Sequence, residues 1–83
     1  MKEYRIQKKM ADGVWVFEDP AYVSYVRKET AQERIAYLVK RWEFQKTLEH
    51  PMCQKSEIEQ YSRFENWRIV MRDVTKWEPV EEE

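Results

Sequence analysis

The sequence predicts an α+β domain: a three-stranded antiparallel sheet packed on one long helix, with one or two short helices filling in. Three observations carry this. Residues 4–17 alternate around an Asp12-Gly13 pair, residues 30–49 repeat apolar side chains at three and four, and residues 67–77 alternate again. Eighty-three residues make one domain, spanning 1–83, with no room for a second core. Aromatic residues at 14%, four of them tryptophan, give this small core large side chains to bury.

The first two strands form a hairpin. Asp12-Gly13 is a favoured two-residue turn, in which both central residues take positive φ. Such a turn sets Met10 opposite Trp15, Lys9 opposite Val16 and Lys8 opposite Phe17. Tyr4, Ile6, Met10, Trp15 and Phe17 then share the core face. Lys8 is the dissonant member of that face, a residue whose stem can lie along an edge. Arg5, Gln7, Lys9, Val14 and Val16 fall on the other side.

Asp19-Pro20 reads as an N-cap followed by proline at the first helical position, which predicts a short helix over 21–28 with Tyr22, Val23 and Val26 inward. The same residues, YVSYV, also alternate as a strand would; helix is the preferred reading. The long helix opens on a capping box, Thr30 with Glu33, and ends at His50-Pro51. Ala31, Ile35, Leu38, Val39 and Trp42 line its core stripe. Tyr37, Phe44 and Leu48 make a second stripe on roughly the opposite side. Ser56 with Glu59 repeats the capping box and opens a short helix over 56–64. Its Ile58, Tyr61 and Phe64 supply the plainest cover for that second stripe; otherwise the stripe is an oligomer or partner groove.

In the last strand Trp67, Ile69 and Met71 alternate with Arg68, Val70, Arg72 and Val74. Asp73 falls on the apolar side, so the strand should leave the core or bulge there. Residues 79–83 are an acidic tail expected to fray. The predicted core is Tyr4, Ile6, Trp15, Phe17, Ile35, Leu38, Val39, Trp42, Trp67, Ile69 and Met71.

Charge and chemistry narrow the function. Charged residues are 37% and the net charge is −1, so the chain as a whole is no nucleic-acid polycation. The opening residues lack the apolar run of a signal peptide and no stretch is apolar enough to span a bilayer, so a cytoplasmic protein without membrane partners is expected. His50 and Cys53 have the spacing of two metal ligands, but the chain has no other histidine or cysteine to complete a zinc site. One glycine rules out the usual phosphate loops. The glutamates fall on solvent-facing positions with nothing to mark a general acid or base. No catalytic residue, metal or cofactor is expected.

One surface remains for binding. If the last strand pairs with the hairpin, Arg5, Lys9, Arg68, Arg72 and Lys76 share the sheet face away from the helix. Such a patch suits phosphates or an acidic protein surface; the ordinary alternative is a solvated polar face. With the aromatics assigned to the buried side, that face lacks stacking platforms, which argues against base recognition.

The opening YRIQKKMADGVWVFE and the ending RIVMRDVTKWEPV resemble small uncharacterised proteins encoded by phages and prophages, in which a hairpin, a helix and a final strand fill the chain. The resemblance covers the first and last fifths; segments 21–28 and 56–64 are additions to the type. It implies a small accessory protein that binds and inhibits or redirects a host protein, defence systems included. A nucleic-acid-binding accessory protein using the same cations is the alternative, and a structural homodimer built through Tyr37, Phe44 and Leu48 is a third. The chain itself is expected to be a monomer or a homodimer.

Overall fold

A computed structural model describes residues 2–20, 23–72 and 78–80. The expected α+β architecture is present, with one strand more than predicted. Strands β1 (Glu3–Lys9), β2 (Trp15–Phe17), β3 (Trp67–Arg72) and β4 (Glu78–Pro79) form one antiparallel sheet in the order β2-β1-β3-β4. Helix α1 (Lys28–Gln45) packs across one face, and the shorter α2 (Lys55–Tyr61) follows it. β4 falls where a frayed tail was expected to begin. Val80 N–H donates to the Ile69 carbonyl at 2.9 Å, and its side chain packs against the core.

The hairpin register differs from the prediction by one residue. Lys9 pairs with Trp15, Lys8 with Val16 and Gln7 with Phe17. The cause lies in the turn. Gly13 has φ 89°, whereas Asp12 stays at negative φ, so the two-residue turn with positive φ at both centres does not form. Instead Ala11, Asp12 and Gly13 make a three-residue loop, closed by Gly13 N–H to the Met10 carbonyl (2.9 Å) and Met10 N–H to the Val14 carbonyl (2.8 Å). The Asp12 carboxylate accepts from the Val14 N–H at 3.0 Å and holds the loop in that shape. A one-residue slip turns a whole strand over. Trp15 and Phe17 therefore leave the predicted core for the outer face, and Val16 moves to the helix side.

β1 and β3 pair in a register that keeps Tyr4, Ile6 and Lys8 beside Met71, Ile69 and Trp67 on the helix side. Ile6, Ala31, Ile35, Leu38, Val39, Tyr61, Trp67 and Ile69 form the buried cluster, with Tyr4, Tyr25 and Trp42 packed around it. Lys8 keeps its predicted place: its ammonium sits 3.0 Å from Glu18 and 4.9 Å from the Tyr61 ring centre. The Trp67 indole N–H donates to the Tyr61 carbonyl (2.8 Å) and the Asn66 amide to the Gln60 carbonyl (2.7 Å), so two side chains satisfy carbonyls at the end of α2.

The connections also depart from the sequence reading. Among the described residues of 21–28, Tyr25 forms an antiparallel bridge to Tyr4, with both N–H···O distances 2.7 Å, and Val26 is exposed. The strand-like alternative is closer to the structure than the short helix. Tyr22 lies outside the described residues. Because Tyr25 is tied to the sheet, α1 starts directly after it, at Lys28 with Arg27 as N-cap, and Thr30 with Glu33 sits inside the helix rather than capping it. The helix also stops early. Lys46, Thr47 and Leu48 each donate to a carbonyl three residues back, tightening the last turn, and Thr47 Oγ1 returns to the Phe44 carbonyl at 2.7 Å. Likewise α2 starts at Lys55 with Gln54 as N-cap, so Ser56 is within it. The predicted departure of the strand at Asp73, together with Val74, Lys76 and residues 81–83, lies outside the described residues.

Candidate functional site

Two surfaces were singled out by sequence, and the structure changes the content of both. The outer sheet face carries Glu3, Arg5, Gln7 and Lys9 of β1, Arg68, Val70 and Arg72 of β3, and, through the shifted register, Trp15 and Phe17 of β2. Four of the five predicted contact residues come together there: Arg5, Lys9, Arg68 and Arg72. Lys76 lies outside the described residues.

These cations are mostly engaged with their own face. Arg5 is only 6% exposed; its guanidinium donates to the Asp19 carbonyl and lies 3.8 Å above the Phe17 ring centre. Arg72 gives both Nε (3.2 Å) and Nη2 (2.8 Å) to one oxygen of Glu3, directly opposite it on β1. Arg68 donates to the Gln7 side chain at 2.7 Å and stacks 4.3 Å from the Trp15 ring centre. Burial lowers the pKa of the Arg68 guanidinium from its ordinary value. Lys9 stands 6.0 Å from the same indole. Val70, predicted on a wetted face, is 1% exposed. Among the described residues, Arg68 and Lys9 face no carboxylate, and with Trp15 they make the part of the patch whose charge no acid neutralises.

At the end of this face, Asp19 sits near Arg5, Arg34 and the Tyr25 hydroxyl. Burial, with a smaller push from the Glu18 charge, raises its carboxyl above the ordinary carboxylate range, while Arg34 and Arg5 pull the other way. Burial and then the charge of Asp19 raise the Tyr25 hydroxyl in turn.

The second surface is the outer stripe of α1. Tyr37 and Phe44 stay 50% and 60% exposed, so the predicted cover is absent. α2 packs on the other flank of α1, where Tyr61 meets Trp42 with ring centres 5.2 Å apart, and Phe64 is itself exposed. Leu48 leaves the helix and lines a cleft of about 500 Å³ with Pro51, Lys55 and Ile58. Sequence reasoning missed the arginines of this stripe. The Arg34 and Arg41 guanidiniums lie 5.1 and 5.7 Å from the Tyr37 ring centre, and their three- and four-residue spacing from Tyr37 was the available signal.

His50 is exposed, and Cys53 is a free thiol in a shallow cleft with Leu38, Arg41 and Trp42. No described helix is long and apolar enough to cross a membrane. Comparison with protein-family models, with curated proteins and with solved structures returns no match for this chain.

Proposed function

We propose that the chain is a small, non-catalytic binding protein of phage or mobile-element type that modulates or inhibits a host protein, acting in the host cytoplasm as part of, or against, a defence system. Its outer sheet face is the contact, with Trp15, Arg68 and Lys9 meeting an acidic surface. One observation carries the proposal: Arg68 and Lys9 both lie against the half-buried Trp15 indole, and among the described residues neither is paired with an acid. Tyrosine, tryptophan and arginine dominate the energetics of protein interfaces, and a stacked guanidinium is already ordered before it meets a carboxylate. The single histidine and single cysteine share one loop, which supplies no nucleophile with an oriented base.

A nucleic-acid partner is the second reading, favoured by one correction: Trp15 and Phe17 stand on the cationic face, where single-strand binders place their stacking rings. Two features favour protein instead. Arg5 and Arg68 occupy the ring faces that bases would need, and Arg72 is committed to Glu3, leaving few cations for a polyanion.

The test is capture from a bacterial lysate, with and without nuclease, comparing wild type with a Lys9→Glu/Arg68→Glu double variant. A host protein retained after nuclease by wild type and lost by the variant is the expected result. Loss of all capture on nuclease treatment moves the function to nucleic acid. Equal capture by wild type and variant removes the sheet face as the contact.

A further inference from the structure

We infer that α1 also pairs, antiparallel, with α1 of a second copy of this chain, through Arg34, Tyr37, Arg41 and Phe44. This contact runs along the exposed flank of α1, outside its buried stripe, and is independent of the function proposed above. The four residues recur at steps of three, four and three, the spacing of a coiled-coil seam, and all are exposed. Along the seam arginine alternates with an aromatic ring.

That alternation decides the orientation. A parallel pair would set guanidinium against guanidinium at both arginine levels. An antiparallel pair, related by a two-fold axis at residue 39, sets Arg34 against Phe44 and Tyr37 against Arg41, each twice. Every level then joins a cation to a ring, a contact stronger once water is excluded. The molecule already makes it: Arg34 and Arg41 bracket Tyr37 within one copy. Among the described residues no cation faces Phe44, and the second copy supplies one. An acidic partner helix would satisfy the arginines but offer the rings nothing; a second copy serves both. Arg34 also faces Asp19 and the Tyr25 hydroxyl, so the two Tyr37–Arg41 levels carry more of the contact. One face of an 18-residue helix is small beside a standard interface, so the dimer should dissociate on dilution.

Sedimentation velocity from micromolar to millimolar protein tests this. Wild type should pass from monomer to dimer, whereas Arg41→Glu and Tyr37→Glu, both exposed substitutions whose folding circular dichroism would verify, should stay monomeric throughout. Orientation is read in a Cys53→Ser background by oxidising Arg34→Cys and Phe44→Cys chains, alone and mixed. The mixture should form a disulfide-linked pair that neither chain forms by itself. A wild type monomeric at millimolar concentration overturns the inference. So do variants that dimerise like wild type, or single-cysteine chains that link to themselves as readily as the mixture.

Discussion

The outer sheet face and the outer stripe of α1 hold similar residues, arginines beside aromatic rings, yet they are in opposite states. On the sheet, cross-strand neighbours stand close enough for long polar side chains to find each other. Glu3 opposite Arg72 and Gln7 opposite Arg68 do so, and Arg5 and Val70 are buried among their neighbours. On the helix, side chains diverge from a cylinder and meet only at three and four residues. Arg34 and Arg41 reach Tyr37, but Phe44 is left in water. A charge-rich sheet face can therefore be largely self-satisfied, while a helix with the same residues keeps its capacity for a partner.

The comparison can be broken at Arg5. If the sheet face is self-satisfied, Arg5→Ala should cost about 2–3 kcal/mol, from a charge-assisted hydrogen bond to Asp19 and a stacked ring. Urea unfolding of the variant measures it; a loss near zero would make this face a solvated surface after all.

The pH dependence sharpens the same point at Asp19. Its raised pKa means the folded chain holds that proton more tightly than the unfolded chain. The contribution is fully present below the ordinary carboxylate pKa and is lost as pH rises through the raised folded value. Melting temperatures across the acidic range should therefore fall with pH less steeply, or rise more, in Asp19→Asn than in wild type. Parallel curves would place Asp19 in water.

The smallest effect is expected on the helix. Phe44→Ser should change stability in dilute protein by no more than ~0.5 kcal/mol, because a ring left 60% exposed has little packing to lose. A cost comparable to that at Arg5 would mean the ring is covered within one copy.

What was legible in the sequence follows from where the physics is local. The core stripe of α1 could be read because helical period fixes which side chains share a face, and β1 with β3 because alternation does the same. Ile6, Ile35, Leu38, Val39, Trp67 and Ile69 were all identified in this way. The hairpin pair Asp12-Gly13 marked a turn correctly but not its length, and one residue decided whether Trp15 and Phe17 were core or surface. That error propagated into the candidate site: stacking rings were excluded from the face on which they stand.

The sequence by itself determined the α+β class, the long helix, the inner face of β1 and β3 and the outer-face position of Arg5, Lys9, Arg68 and Arg72, because each depends on residues a few steps apart. Only the tertiary structure decided the hairpin loop, the tie between Tyr25 and Tyr4 that moves the start of α1, the side of α1 that α2 covers, and the state of each arginine. Those depend on partners distant in the chain, Arg72 with Glu3, Arg68 with Gln7, Tyr61 with Trp42, and periodicity along one segment carries no information about which of them will meet.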